Sequence, residues 1–351
     1  MSTASPVPAP GTVASDPTAP GRKEDHIELA FRSQVDGLHL DTRFDYEPLL
    51  AAHPAVGSLP PTAFGRKQLR APLWVSSMTG GTEKALVINH NLARAAGEFG
   101  IGMGLGSCRS LLYDDQRFRD FNIRPLAGPD AALFANLGVA QVQTLLDEGD
   151  AGMISQLVTA LDMDGLIIHV NPLQEWLQPE GDRFTVPPLE TIEALLGVLP
   201  DLPLIVKEVG QGMGPASLRA LLALPLLALD TAANGGTNFS KLELFRSDEL
   251  ARQAYGGLTQ VGHGATEMVR LVNALLDGDV QVNCQHLIIS GGIQGFLDGY
   301  YLTQLSQLPA IYGQASAFLR HAREDYGVLR AFVATQLRGL ELANAYLRPR
   351  L

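Results

Sequence analysis

The chain has 351 residues, 26 Lys+Arg against 37 Asp+Glu, a formal net charge of −11, and 46% hydrophobic residues against 18% charged ones. This is the composition of a soluble globular protein with a large core, and its acidity excludes nucleic acid and anionic membrane as partners. Cys108 and Cys284 are too few for a disulfide framework and belong to no zinc-type cluster, so a reducing cytoplasm is expected.

Residues 1–21 hold five prolines, four alanines and one charge, Asp16. Such a segment cannot bury enough apolar surface to offset its ordering entropy and reads as a disordered Pro/Ala-rich tail. Residues 22–351 read as one domain. It opens on the polar cluster Arg22-Lys23-Glu24-Asp25-His26, which by itself resembles a charged helix start. The longest nearly uncharged apolar run, Leu221 to Leu229, is broken by Pro225 and falls well short of the roughly 18 residues a membrane helix needs.

From Pro72 onward, short apolar runs alternate with longer helical stretches, the pattern of βα units around a parallel sheet. The predicted strands are Leu73–Ser77, Gly102–Leu105, Ala132–Asn136, Leu166–Val170, Leu204–Val209, Leu226–Asp230, His286–Ser290 and Ala310–Gly313. Between the first two, Ile88, Leu92, Ala95, Ala96 and Phe99 fall on one helical face, with Gly100 where a C-terminal cap is wanted. Eight such units predict an α/β fold, a (β/α)8 TIM barrel, whose site gathers on the loops leaving the strands' C-terminal ends.

Those ends are rich in glycine and small polar residues. Gly291-Gly292 and Gly313 follow the seventh and eighth strands, the usual phosphate-binding place of a barrel. Lys207 interrupts the apolar run Leu204-Ile205-Val206, and a buried lysine is costly unless it meets an anion. It could form a Schiff base or face a cofactor, and the phosphate-type loops opposite favour a cofactor. Ser76, Ser77, Thr79, Asn136 and Thr237 supply neutral hydrogen-bonding groups for a flat heterocycle, which is what an FMN site requires.

The ordered set Arg22-Lys23 with His26, Ser77-Met78-Thr79-Gly80-Gly81, Gly106-Ser107-Cys108-Arg109, Asn136-Leu137-Gly138, His169-Val170-Asn171-Pro172-Leu173-Gln174-Glu175, Lys207-Glu208-Val209-Gly210, Gly235-Gly236-Thr237 and Ser290-Gly291-Gly292-Ile293 resembles type 2 isopentenyl-diphosphate isomerase, the flavin-dependent form. The resemblance runs from residue 22 to about 320. It implies FMN contacts from Ser76, Ser77, Met78, Thr79, Ser107, Asn136, Lys207, Thr237, Gly291, Gly292, Gln314 and Ala315. Substrate contacts are implied for Arg22, Lys23, His26, Ser107, Arg109, His169, Asn171 and Gln174, with Glu175 as the Mg²⁺ ligand.

Gln174, Lys207 and His169 are the implied catalytic residues, acting on isopentenyl and dimethylallyl diphosphate with reduced FMN and NADPH as the reductant. A homotetramer or homo-octamer is also implied. Gln294, Cys108 and Asn238-Phe239 depart from the family pattern, which often has Arg, Gln and Ser-Trp at those places. One rival is the FMN-dependent 2-hydroxy-acid oxidase type, which resembles a pattern with His and Arg around the glycines after strand six; Asn234 to Phe239 contains neither. An inosinate-type dehydrogenase is disfavoured by the early position of Cys108. A non-catalytic flavin-binding protein would not need Gln174, Glu175 or the basic cluster.

Overall fold

A computed structural model describes residues 19–77, 83–278 and 281–351. The chain divides into two units between Thr42 and Arg43. In the first, a helix runs over Ala19–Leu29, followed by a 3-10 turn over Gly37–His39 that Asp36 caps by accepting the Leu38 N–H at 2.9 Å. The helix begins inside the stretch assigned to the tail, so Arg22 to Asp25 sit in its middle rather than at its start, and no acidic residue occupies its first turn. Residues 1–18 lie outside the described residues.

The second unit, Arg43–Leu351, contains the barrel. Its strands are β1 (Leu73–Val75), β2 (Gly102–Gly104), β3 (Leu133–Gly138), β4 (Gly165–His169), β5 (Leu204–Lys207), β6 (Ala228–Asp230), β7 (His286–Ser290) and β8 (Ala310–Gln314). Each pairs in parallel with its neighbours, and β8 closes on β1 through Tyr312 and Leu73. All eight predicted strands are present, shifted by up to two residues at their ends.

Period-two alternation explains how one barrel can have an apolar floor and a polar mouth. Residues two apart share the lumen face: Trp74 and Ser76, Phe134 and Asn136, Ile167 and His169, Ile205 and Lys207, Ala228 and Asp230, Ile288 and Ser290. The first member of each pair belongs to one apolar cluster. A hairpin, Thr62–Phe64 with Lys67–Leu69, seals that end by placing Phe64 5.3 Å from the Trp74 ring and 6.1 Å from the Phe134 ring. Aromatic side chains of this kind each bury roughly 150–250 Å². The second member of each pair therefore looks toward the opposite end of the barrel, its mouth.

The helix Glu83–Phe99 shows how sequence pattern sets the outer layer. Ile88, Leu92, Ala95 and Ala96 are buried against the barrel. Gly100 has φ +63, and the Ile101 N–H bonds the Ala96 carbonyl at 3.1 Å, the six-residue closure of a left-handed C-terminal cap. Among the described residues no helix is long and apolar enough to cross a membrane.

Candidate active site

Two clefts open at the C-terminal mouth. The first, about 290 Å³, is lined by Ser76, Ser77, Lys207, Thr237, Gly291, Gly292, Gln314 and Ala315 among others. The second, about 230 Å³, is lined by Ser107, Arg109, Asn136, His169, Asn171, Gln174 and Glu175 among others. Ser77, Lys207, Val209 and Phe239 line both, so the clefts meet over Lys207. A larger apolar cavity, about 650 Å³, lies outside the lumen between the helices Pro188–Val198 and Pro215–Leu222 and touches this region only at Asn171, Gln174 and Val209.

The predicted residues sort onto these clefts unevenly. Ser107 and Asn136, expected at the flavin, line the second cleft only. Met78 and Thr79 lie outside the described residues. Arg22, Lys23 and His26 stand exposed on the Ala19–Leu29 helix of the first unit.

In the first cleft the backbone forms a close cradle. Gly291 and Gly292 have φ +91 and +73, and a Cβ on Gly291 would collide with the Ala233 backbone. A Cβ on Gly313 would come within 2.5 Å of Ser76 Oγ, so only glycine leaves this wall open. Ser76 Oγ, Ser77 Oγ and Gln314 Oε1 are buried with no hydrogen-bond partner among the described residues. Buried polar atoms in this state call for a ligand or water to satisfy them.

In the second cleft a hydrogen-bond network fixes each side chain. Asn136 Nδ2 donates to the Leu105 carbonyl at 3.0 Å, which leaves Asn136 Oδ1 as the acceptor for His169 Nδ1 at 2.7 Å. The proton therefore sits on Nδ1, and His169 Nε2 is an acceptor. Burial, aided by the Lys207 charge, lowers the His169 pKa to about 4. His169 is therefore neutral at pH 7 and brings no positive charge to the cleft.

Asn171 Nδ2 donates to Gln174 Oε1 at 3.1 Å and to Glu175 Oε1 at 2.9 Å. Gln174 Nε2 in turn donates to Glu243 Oε1 at 3.4 Å, so the amide is held at both ends. Glu175 Oε2 accepts the Asp182 N–H at 2.8 Å. Arg109 is paired with Asp182, Nη1 to Oδ2 at 2.8 Å, and Gln141 Nε2 donates to the same oxygen at 2.7 Å. Among the described residues no three His, Cys, Asp or Glu side chains form a metal cage. Both Glu175 oxygens already accept hydrogen bonds, so a cation here would have to take its remaining ligands from water or a bound oxyanion.

Sequence reasoning missed two buried carboxylates. Asp230, 1% exposed, ends β6 beside Lys207 in register. Its signal was the same as that of Lys207, a charge closing an apolar strand. Lys207 Nζ donates to the Glu208 carbonyl at 2.7 Å, so Asp230 is its neighbour in register rather than its hydrogen-bond partner. Glu243, 3% exposed, carries no such signal, because its helix Phe239–Arg246 reads as an ordinary surface helix.

The departures from the family pattern fall at or beside the clefts. Cys108 is fully buried, its thiol pushed up to about 12 by desolvation. Asn238 caps its helix through Oδ1, accepting the Lys241 N–H at 2.8 Å, and Phe239 lines both clefts. Gln294 borders the first cleft.

Relatives settle the family. An isopentenyl-diphosphate delta-isomerase of Rickettsia rickettsii is 33% identical over 315 residues, covering 88% of this chain and 87% of that protein. One from Synechococcus sp. is 35% identical over 340 residues, covering 95% and 93%. The chain belongs to the isopentenyl-diphosphate delta-isomerase family. It is therefore related to enzymes, and the ordered strand-end motifs had pointed to this family. No family model matches the chain.

Solved structures with a similar fold include mandelate oxidase, TM-score 0.53 at 14% identity over 88% of this chain and 87% of that one. A variant of that oxidase carrying a monooxide FMN adduct gives TM-score 0.54 at 14% identity over 88% of both chains. At that identity the likeness shows the barrel alone. Mandelic acid is a 2-hydroxy acid, so the rival reading shares this family's fold while the sequence relatives separate the two.

Proposed function

We propose that this protein is a flavin-dependent isomerase that moves the double bond of isopentenyl diphosphate to give dimethylallyl diphosphate, with FMN in the first cleft and the diphosphate in the second. The observation that supports it most is the meeting of the two clefts at Ser77, Lys207, Val209 and Phe239. A heterocycle in one would lie against a small substrate in the other.

The glycine cradle and the unpartnered Ser76, Ser77 and Gln314 atoms fit FMN. Ser76, Ser77, Lys207, Thr237, Gly291, Gly292, Gln314 and Ala315 would hold it, with Met78 and Thr79 completing the set. When bound and reduced, FMN supplies an electron-rich ring with an exchangeable proton at N5.

The chain's own residues bind and orient. An unactivated alkene is a poor base, and the second cleft offers few carboxyls to protonate it. Gln174, clamped between Asn171 and Glu243, presents a fixed amide to the substrate carbons. His169, held as the Nδ1–H tautomer by Asn136, offers Nε2 as an acceptor. Lys207 places a buried cation where both clefts meet. Arg109, Ser107 and Asn171 would take diphosphate oxygens, Arg109 after leaving Asp182, while Glu175 would hold Mg²⁺ against the same group.

Arg22, Lys23 and His26 would add cations from their helix, on their own or a neighbouring subunit's site. NADPH would keep the flavin reduced in the cytoplasm, and the working assembly would be a homotetramer or homo-octamer.

An anaerobic assay tests the reading. The purified protein should be yellow and should interconvert the two diphosphates only with FMN reduced and Mg²⁺ present. Full activity without FMN would overturn it.

A further inference from the structure

We infer that Arg320 is the residue of the first cleft that recognises the phosphate of the bound flavin, so that this site tells FMN from riboflavin by charge. The inference rests on the flavin reading above and adds a residue to it.

The first cleft extends from the lumen to the helix Ser316–Ala322, which follows β8. Ser316, Ala317, Arg320 and His321 line it, a spacing that puts all four on one side of that helix. Helical side chains lean toward the N-terminus of their helix, so Arg320 covers the turn that begins at the mouth end of β8. The loop after β7 belongs to the same wall, because Gln314 Nε2 donates to the Ile293 carbonyl at 3.3 Å.

The charge of this cleft is opposite to that of the molecule. The chain carries a net −11, yet no Asp or Glu is among the described residues lining the cleft, while Lys207 and Arg320 both are. The two cations stand apart. Lys207 ends β5, three strands from β8 around the barrel, and it also lines the second cleft, which Arg320 does not. One cation therefore marks the end where the clefts meet, and the other marks the end away from it.

Among the described residues the Arg320 guanidinium has no ion pair and no hydrogen bond. Asp298, on the helix that follows β7, is engaged elsewhere: its Oδ1 accepts Arg43 at 2.8 Å and its Oδ2 accepts the Gln294 N–H at 2.8 Å. His321 is committed to its own helix, with Nδ1 donating to the Ala317 carbonyl at 2.7 Å and the ring stacked 4.2 Å from Phe332. Gln294 brings an uncharged amide to this border. Arg320 is thus the unengaged cation at this end, and its planar fork matches two phosphate oxygens at once.

The test uses the full chain freed of flavin and reads the dissociation constants of FMN and of riboflavin by quenching of flavin fluorescence. Riboflavin has the same ring and lacks the phosphate. Arg320 is exposed, so its replacement should leave the fold in place. Arg320→Gln should weaken FMN by about tenfold and leave riboflavin within about twofold, because a charge-assisted phosphate contact alone is lost. Arg320→Lys, which keeps the charge and loses the fork, should recover part of the difference. Added salt should weaken FMN and leave riboflavin level in the wild type, and Arg320→Gln should flatten that dependence.

Equal losses of FMN and riboflavin in Arg320→Gln would mark a structural role and overturn the inference, as would an unchanged ratio of the two constants. If that variant does not fold, the wild type still decides, since a preference for FMN that salt does not reduce also overturns it. A wild type that binds neither flavin overturns the flavin reading, and the inference falls with it. Binding of both flavins, with the ratio unmoved by Arg320→Gln, removes the inference and leaves that reading standing.

Discussion

Arg109 reaches the second cleft already engaged, and this should be visible in the enzyme's KM. Its guanidinium pairs with Asp182 at 2.8 Å, with side chains 48% and 31% exposed. On the proposed reading a diphosphate would take Arg109 from that carboxylate, so part of its binding energy would offset the broken pair. Partly exposed ion pairs are worth about 0.2–1 kcal/mol, which sets the penalty at up to about fivefold in affinity. Asp182→Asn removes the charge while leaving an amide oxygen for Gln141 and the backbone N–H that meets Glu175 Oε2. Initial rates with isopentenyl diphosphate at low ionic strength should show KM falling by up to about fivefold with kcat unchanged. The gain should shrink at high salt, as screening weakens the competing pair. A KM that rises or stays level at low salt would show that Asp182 does not compete for Arg109, and the assignment of Arg109 to the diphosphate would lose its electrostatic basis.

Other outcomes follow from the same geometry. If Arg109 binds the diphosphate as proposed, Arg109→Ala would remove a charge-assisted phosphate contact of about 1.5–3 kcal/mol and should raise KM by roughly 10- to 100-fold. Glu175→Gln should weaken both the Mg²⁺ dependence and turnover, and an unchanged Mg²⁺ titration would remove the metal assignment. His169 has a folded pKa of about 4 against an ordinary value near 6.5, so the unfolded chain takes up the proton first as pH falls. Its contribution should therefore be neutral above pH 6.5 and increasingly destabilising down to about pH 4, by an amount on the order of 3 kcal/mol. Melting curves of the apoprotein should show a smaller acid loss for His169→Gln than for the wild type; equal losses would contradict the buried neutral ring. Cys108 should resist a thiol reagent at pH 8 in the native protein and react only after denaturation, because its thiol is buried and held up at about 12.

Much of the barrel could be read from the chain because its strands are short apolar runs ended by glycine or a polar residue. Leu166 to His169 and Leu204 to Lys207 are examples, and their lumen-facing last residues are the ones that reach the site. What escaped were features with no local signature. The floor hairpin, Thr62–Leu69, is an unremarkable stretch of eight residues until Phe64 meets Trp74 from another segment. Asp230 carried a signal identical to that of Lys207, but a single charge at a strand end gives no hint of which residue lies beside it on the next strand. Glu243 matters only because Gln174, 69 residues earlier, lies across from it. The charge state of His169 was likewise invisible, since it follows from burial and from which atom of Asn136 faces the ring.

Phe44–Tyr46 pairs antiparallel with Leu347–Pro349, and Arg350 reaches back to Asp45 across 305 positions of sequence. The second unit therefore begins and ends in one two-stranded ribbon. A ribosome that has released residue 44 still has some three hundred residues to add before the partner strand exists, so this pairing forms late in synthesis. Phe44 also packs on the rings of Tyr300 and Tyr301, which are themselves late to emerge. Deleting residues 347–351 would leave Phe44–Tyr46 without its paired strand and the buried Phe44 ring without that cover.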